Sequence, residues 1–191
     1  MRRQLLALLC PLLLSACSAE VAVETEPMSQ TIPITSVLKP VYAEVAIDLP
    51  LETQGLDVTV KEITATLTVH NPSKAFTLET SARLSFTGTA TPDEPITYTD
   101  QNLPPYYATA EVLLAPRNFA PNTSTPVVID TPGLVKAIGQ KRIWVIVSNT
   151  VTRATIGEAL PLNIELRDVV LHAVVTKPFQ GLEGALGPGG L

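Results

Sequence analysis

Apolar residues recur at every second position through most of this chain, and that period fits only one kind of element. Val41, Ala43, Val45, Ile47 and Leu49 alternate with Tyr42, Glu44, Ala46 and Asp48. Ile63, Ala65, Leu67 and Val69 alternate with Thr64, Thr66, Thr68 and His70, and a third such run extends from Phe76 to Phe86. A helix repeats its apolar face every three or four residues, whereas a strand turns successive side chains to opposite faces. These runs therefore predict half-buried strands with β-branched Thr on the wet side. Between Val60 and Ile63 the apolar phase slips from even to odd positions, which predicts a bulge or tight turn at Lys61-Glu62. Arg142 to Val147 is apolar on both faces, as a central strand would be. Leu160 to Leu166 alternates again, and Val169 to Val175 reads as the last strand.

Proline limits what can lie between the strands. Eight of the 17 Pro fall between Pro92 and Pro132, which excludes long helices there and favours turns and edge strands. Thr131-Pro132-Gly133 can start one short helical turn near 133–139, ending at Gly139. Short strands separated by turn signals predict an all-β fold, a β-sandwich of about 7–10 strands. A length of 191 residues suits one domain with a proper core.

Charge narrows the function. The chain has 13 Lys+Arg against 18 Asp+Glu, a net −5, and only 16% charged residues where about 25% is usual. An acidic surface without clustered Lys and Arg excludes a nucleic-acid binder. Two Cys and two His leave no material for a metal cluster or a disulfide scaffold, and no cofactor is expected.

The N-terminus indicates the compartment. Met1-Arg2-Arg3 precedes an apolar stretch from Leu5 to Leu14, which spans about 15 Å and is too short to cross a bilayer. This is the layout of a secretory signal. Leu14-Ser15-Ala16-Cys17 closes it and resembles the lipobox of bacterial lipoproteins. The resemblance implies cleavage after Ala16, a diacylglycerol on the Cys17 thiol and acylation of the new amine. Multiple acyl chains hold a membrane firmly where one does not. Ser18 in place of Asp implies the outer membrane, periplasmic side. Loss of Arg2 and Arg3 would leave 11 basic residues against 18 acids, or −7. The expected layout is a signal peptide at 1–16, a lipidated tether at 17–38, a domain at 39–178 and a flexible Gly-rich tail at 179–191.

A second, shorter likeness lies inside the domain. Leu67-Thr68-Val69-His70-Asn71-Pro72, the strand Phe76–Phe86 and then Phe119-Ala120-Pro121-Asn122 before Val127-Val128-Ile129 resemble the Asn-Pro-centred pattern of the late-embryogenesis-abundant type 2 (water-stress-hypersensitive) domain. That resemblance covers about residues 56–130 and implies an Ig-like sandwich, with function left open.

Catalytic motifs are missing: there is no G-x-S-x-G, phosphate loop or H-E-x-x-H. His70, before an Asn-Pro turn, and His172, between Val170 and Val174, read as strand residues rather than general bases. Asp93-Glu94 reads as a solvated turn. The unusual segment is 98–107, where Tyr98, Tyr106 and Tyr107, three of four Tyr, flank Pro104-Pro105. Tyrosines suit glycan or ligand binding, and equally suit covering a core. The expectation is a non-enzymatic, lipid-anchored envelope protein that docks to another envelope component. The alternative is a small-ligand or glycan-binding module using Tyr98, Tyr106 and Tyr107, and a hydrolase built on His70 comes third.

Overall fold

A computed structural model describes residues 18–49, 59–155 and 158–178. The expected signal peptide at 1–16, Cys17 and the expected Gly-rich tail at 179–191 lie outside these residues. Ten strands follow in order: β1 (Ser18–Glu24), β2 (Met28–Ile34), β3 (Val41–Asp48), β4 (Thr59–Asn71), β5 (Phe76–Ser85), β6 (Ile96–Tyr98), β7 (Glu111–Phe119), β8 (Thr123–Ile129), β9 (Arg142–Ala154) and β10 (Leu162–Pro178). A 3-10 turn at Pro105–Thr109 precedes β7, and a single helical turn, α1 (Pro132–Val135), follows β8.

The strands form two antiparallel five-stranded sheets packed face to face, an all-β sandwich. In the first sheet β1 and β2 lie end to end along one side of β10, with β4 and β8 on the other. The second runs β6-β3-β9-β5-β7. Alternation decides which side chains meet between the sheets. Ile32, Ile34, Ile63, Val69 and Ile164 from the first sheet pack with Ala43, Leu78, Leu84, Ile143 and Val147 from the second. Proline falls where a missing N–H is harmless: Pro33, Pro116 and Pro126 sit on β2, β7 and β8, all of them edge strands.

Two irregularities turn the phase of the first sheet. Opposite β4, the pairing slips between Val60 and Glu62, so Lys61 is the extra residue and both Val60 and Ile63 face inward. In β10 the slip falls between Leu166 and Val169, where Asp168 has φ 51°. Asp tolerates this left-handed conformation better than most residues. The bulge lies level with the break between β1 and β2. There Thr25 donates its N–H to the Leu171 carbonyl at 3.0 Å, and its hydroxyl accepts the Leu171 N–H at 3.0 Å.

The expected tether is corrected. Residues 18–24 and 28–34 are strands of the sheet, so the sandwich takes in residues before 39 that were expected to be tether. The acids and prolines that suggested a solvated linker sit where an edge strand can carry them. Glu20, Glu24 and Glu26 are exposed, whereas Ile32 and Ile34 are completely buried. The long β10 would otherwise present a row of unpaired backbone groups along that side.

Candidate functional site

The two sheets do not close completely. Between them lies a cavity of about 450 Å³, lined almost wholly by aliphatic side chains. Ala65, Leu67 and Val69 of β4 form one wall, and Ala82, Val145 and Val147 form the other. Its far end is made by Leu113, Ile129 and Leu134, on β7, β8 and α1. Its near end is lined by Met28, Ser29 and Gln30 of β2 and by Val45 to Asp48 of β3. These are the two sheets' facing edges, and the opening follows from their pairing. The short β6 bonds only to Tyr42–Glu44, so among the described residues no strand covers β3 beyond Glu44 on that side. From β2 across β10 and β4 to β8 is three strand spacings, or about 14 Å. The cavity is thus a slot that crosses the sandwich from a polar-rimmed mouth to an apolar end.

Such a void is costly unfilled. The aliphatic walls there forgo the packing contacts that a filled core would make, so Ala65, Leu67 and Val145 gain when something apolar occupies the space. Inside the slot one wall residue is polar. Thr80 donates its hydroxyl to Asn149 Oδ1 at 2.7 Å, and the buried Asn149 amide nitrogen has no hydrogen-bond partner among the described residues.

The predicted tyrosines are elsewhere, on the outer face of the second sheet. Glu44, on a strand position that reads as solvent-facing, is completely buried there. The segment 86–110 folds over it and supplies donors: the N–H groups of Thr89 (2.6 Å) and Ala90 (2.7 Å), and the hydroxyls of Tyr98 (3.2 Å) and Tyr106 (2.5 Å). Burial, then the bond to the Glu44 carboxylate, holds the Tyr106 hydroxyl far above the usual phenol range. Tyr107 sets its ring edge-on to Tyr42 at 5.4 Å, with the Arg83 guanidinium 5.0 Å from its centre. The same segment crosses Trp144, whose indole N–H donates to the Ala90 carbonyl at 3.0 Å. It crosses so closely that a Cβ on Gly88 would lie 2.2 Å from the ring. Tyr98 and Tyr106 therefore spend their hydroxyls inside the protein. Their effect on the slot is indirect, because the segment they pin carries Pro92 to the mouth.

Asn71 is a second buried hub. Its amide nitrogen donates to the carbonyls of Phe76 (2.9 Å), Phe119 (3.1 Å) and Ala120 (3.1 Å), and its oxygen accepts the Ser73 N–H at 3.1 Å. It ties the end of β4 to β5 and to the β7–β8 turn. Ser73 in turn donates to Glu158 at 2.5 Å. That bond, reinforced by the N–H groups of Lys74 and Ala75, holds the Glu158 carboxyl below its ordinary range.

Both histidines lie on the outer face of the first sheet. His70 Nδ1 is 2.9 Å from Ser124 Oγ, the cross-strand neighbour. Glu165 occupies the same row opposite His70, but its carboxylate is bonded to Arg167. His172 lies between Glu24 (3.0 Å from Nδ1) and Thr66 (3.1 Å from Nε2). This acid–imidazole–hydroxyl series has the order of a hydrolytic relay. It lies on a sheet face, where the neighbouring N–H groups are engaged in the ladder, and an oxyanion would need free ones. As it stands it clasps β1 to β10 and β4. Asp93 and Glu94 are exposed in a tight turn, with Thr91 and Glu94 bonded backbone to backbone. Among the described residues no group of three or more His, Cys, Asp or Glu is placed to hold a metal ion.

No protein-family model matches the chain. No curated protein matches it. Among solved structures it is similar to a chain from the structure of the infectious bursal disease virus Gx strain, at 15% identity and a TM-score of 0.37, over 90% of this chain and 35% of that one. A chain from the crystal structure of the T13 IBDV viral particle aligns at 11% identity and a TM-score of 0.28, over 90% of this chain and 42% of that one. The chain thus spans well under half the length of either, and at these scores the superpositions are too loose to define a common fold.

Proposed function

We propose that this chain is a lipid-anchored, non-catalytic protein of the bacterial cell envelope. On this reading it is held by Cys17 on the periplasmic side of the outer membrane, where it docks to another envelope component. The observation that carries the reading is the junction between lipobox and sheet. The Cys of Leu14-Ser15-Ala16-Cys17 is followed at once by Ser18, the first residue of β1, paired to Pro178. A lipid placed there would join the sandwich with no linker, so the sheet itself would set the domain's stance on the membrane. The end of the first sheet opposite Ser18 leads into the β2–β3 connection, where Leu38 is 90% exposed beside a half-exposed Val37. An exposed apolar pair at the membrane-distal end suits a docking contact.

Mass spectrometry of the mature N-terminal peptide tests the anchor. A triacylated Cys17 is expected, and an unmodified N-terminus cut at another position overturns the reading. A photo-crosslinker at position 38 tests docking: one stoichiometric envelope partner is expected, and recovery of the protein alone removes that part. A second reading, a small-ligand-binding module, is favoured by the slot rather than by the Tyr segment.

A further inference from the structure

We propose that the slot between the sheets binds a single alkyl chain, taken up end-on between β2 and β3. Four features define this ligand. Apart from the Thr80 hydroxyl, which is bonded to Asn149, the lining is aliphatic from Leu67 and Val145 to Leu134, so the buried part carries no charge. At the roughly 30 Å³ that a water-sized group occupies, about 450 Å³ holds about fifteen carbons, the length of a common fatty acyl chain. The slot is about 14 Å deep and entered at one edge, a reach that a flexible chain can follow and fold within more readily than a rigid fused ring system. Polar groups come at the mouth, where Ser29 and Asp48 are exposed and Gln30 is half-buried. A head group left there meets solvent, so the slot recognises the chain and not the head, and a free fatty acid or a lysophospholipid satisfies it equally.

The envelope reading enters only as the source of such chains. The protein's own anchor is a poor occupant. Ser18 pairs with Pro178, and the slot's nearest β10 residue is Leu171, seven residues or about 23 Å along the strand.

The test uses residues 18–191, which hold every described strand, beside the full lipidated protein. Both are titrated with N-phenyl-1-naphthylamine, and the bound probe is displaced with palmitate, with palmitoyl-lysophosphatidylcholine and with butyrate. Saturable one-site binding is expected in both proteins, with palmitate and the lysophospholipid displacing alike and butyrate failing. Ala65→Phe and Ala82→Phe, on opposite walls, should each weaken binding by about tenfold or more. Val128→Ser, on the exposed face of β8, should leave it unchanged. Absence of saturable binding, or binding that both Phe variants leave intact although circular dichroism shows them folded, overturns the proposal. Binding by residues 18–191 but not by the lipidated protein also overturns it, by assigning the slot to the anchor. A missing lipid on Cys17 would defeat the envelope reading and leave this result standing.

Discussion

Replacing Ala82 with Leu should stabilise the unliganded protein, although adding bulk to a β-sandwich core normally does the opposite. Ala82 is buried and faces the slot from β5. Leu adds three carbons, and each buried methylene contributes about 0.8 kcal/mol, or about 2.4 kcal/mol in all. Fixing the Leu rotamer costs about 0.5–1 kcal/mol, leaving a net gain of about 1.5 kcal/mol. In a domain of this size that raises the melting temperature by about 3–6 °C. Urea titration followed by circular dichroism measures it, with the m-value checking that the denatured state is unchanged. If chain elements already fill the space, the same substitution overpacks the core and costs about 1–3 kcal/mol. The sign therefore decides: a loss of 1 kcal/mol or more at constant m refutes the open slot. Saturating palmitate should reverse the ranking. The parent gains about 2.7 kcal/mol at a hundredfold excess over Kd, and the filled variant gains little.

The polar hubs give three more outcomes. Glu44→Ala removes the acceptor for two N–H groups and two tyrosine hydroxyls, so it should cost at least about 3 kcal/mol by urea titration, against about 1–2 for Tyr106→Phe. Asn71→Asp should destabilise as much as Asn71→Ala, about 2–4 kcal/mol, because a carboxylate cannot donate to the three carbonyls that Asn71 serves. Glu158 has a folded-state pKa below its unfolded one, so its contribution is complete above the ordinary glutamate range and fades as pH falls through the lowered value. Glu158→Gln should therefore be less stable than the parent at pH 7 and equal to it once acid protonates the carboxyl, as paired melts across pH would record.

The strands were legible because burial and period coincide in them. Val41–Leu49, Ile63–Val69 and Phe76–Phe86 carry their own phase, and even the slip at Lys61 can be read from where the apolar residues change parity. What escaped depends on partners distant in sequence. Residues 18–34 are too rich in Glu and Pro to declare a strand, and only the free side of β10, more than a hundred residues later, makes them one. Glu44 reads as wet because its strand alternates, and nothing local announces that residues 89–106 will cover it. The slot is harder still, since an alanine facing a void and an alanine facing a neighbour are the same letter. Of the three tyrosines singled out, Tyr98 and Tyr106 bond their hydroxyls to the buried Glu44, and Tyr107 packs its ring against Tyr42 and Arg83, contacts that depend on residues more than twenty positions away.

Entry into the slot requires an edge that yields, and β2 has the construction of one. Among the described residues it is bonded on one side only, to β10, and its N-terminal half begins at the break after Thr25, level with the β10 bulge at Asp168. Ile32 and Ile34 pin its C-terminal half in the core, whereas Met28 and Gln30 are half-buried and Ser29 is exposed. Local opening free energy follows buried apolar contact and ladder continuity, and both decline from Ile34 towards Met28. Backbone amides over 28–30 should therefore exchange with deuterium about a hundredfold faster than those of central β4 and β9, a gap of about 2.7 kcal/mol, while 32–34 stay protected. An alkyl chain in the slot packs against Met28 and Gln30 and should slow exchange there, without altering residues 123–125, the end of β8 away from the slot-lining Ile129. Uniform protection along β2, or slowing by palmitate that is as large at residues 123–125 as at residues 28–30, would remove the β2 edge as the entrance and leave the slot with no described route for a chain to enter.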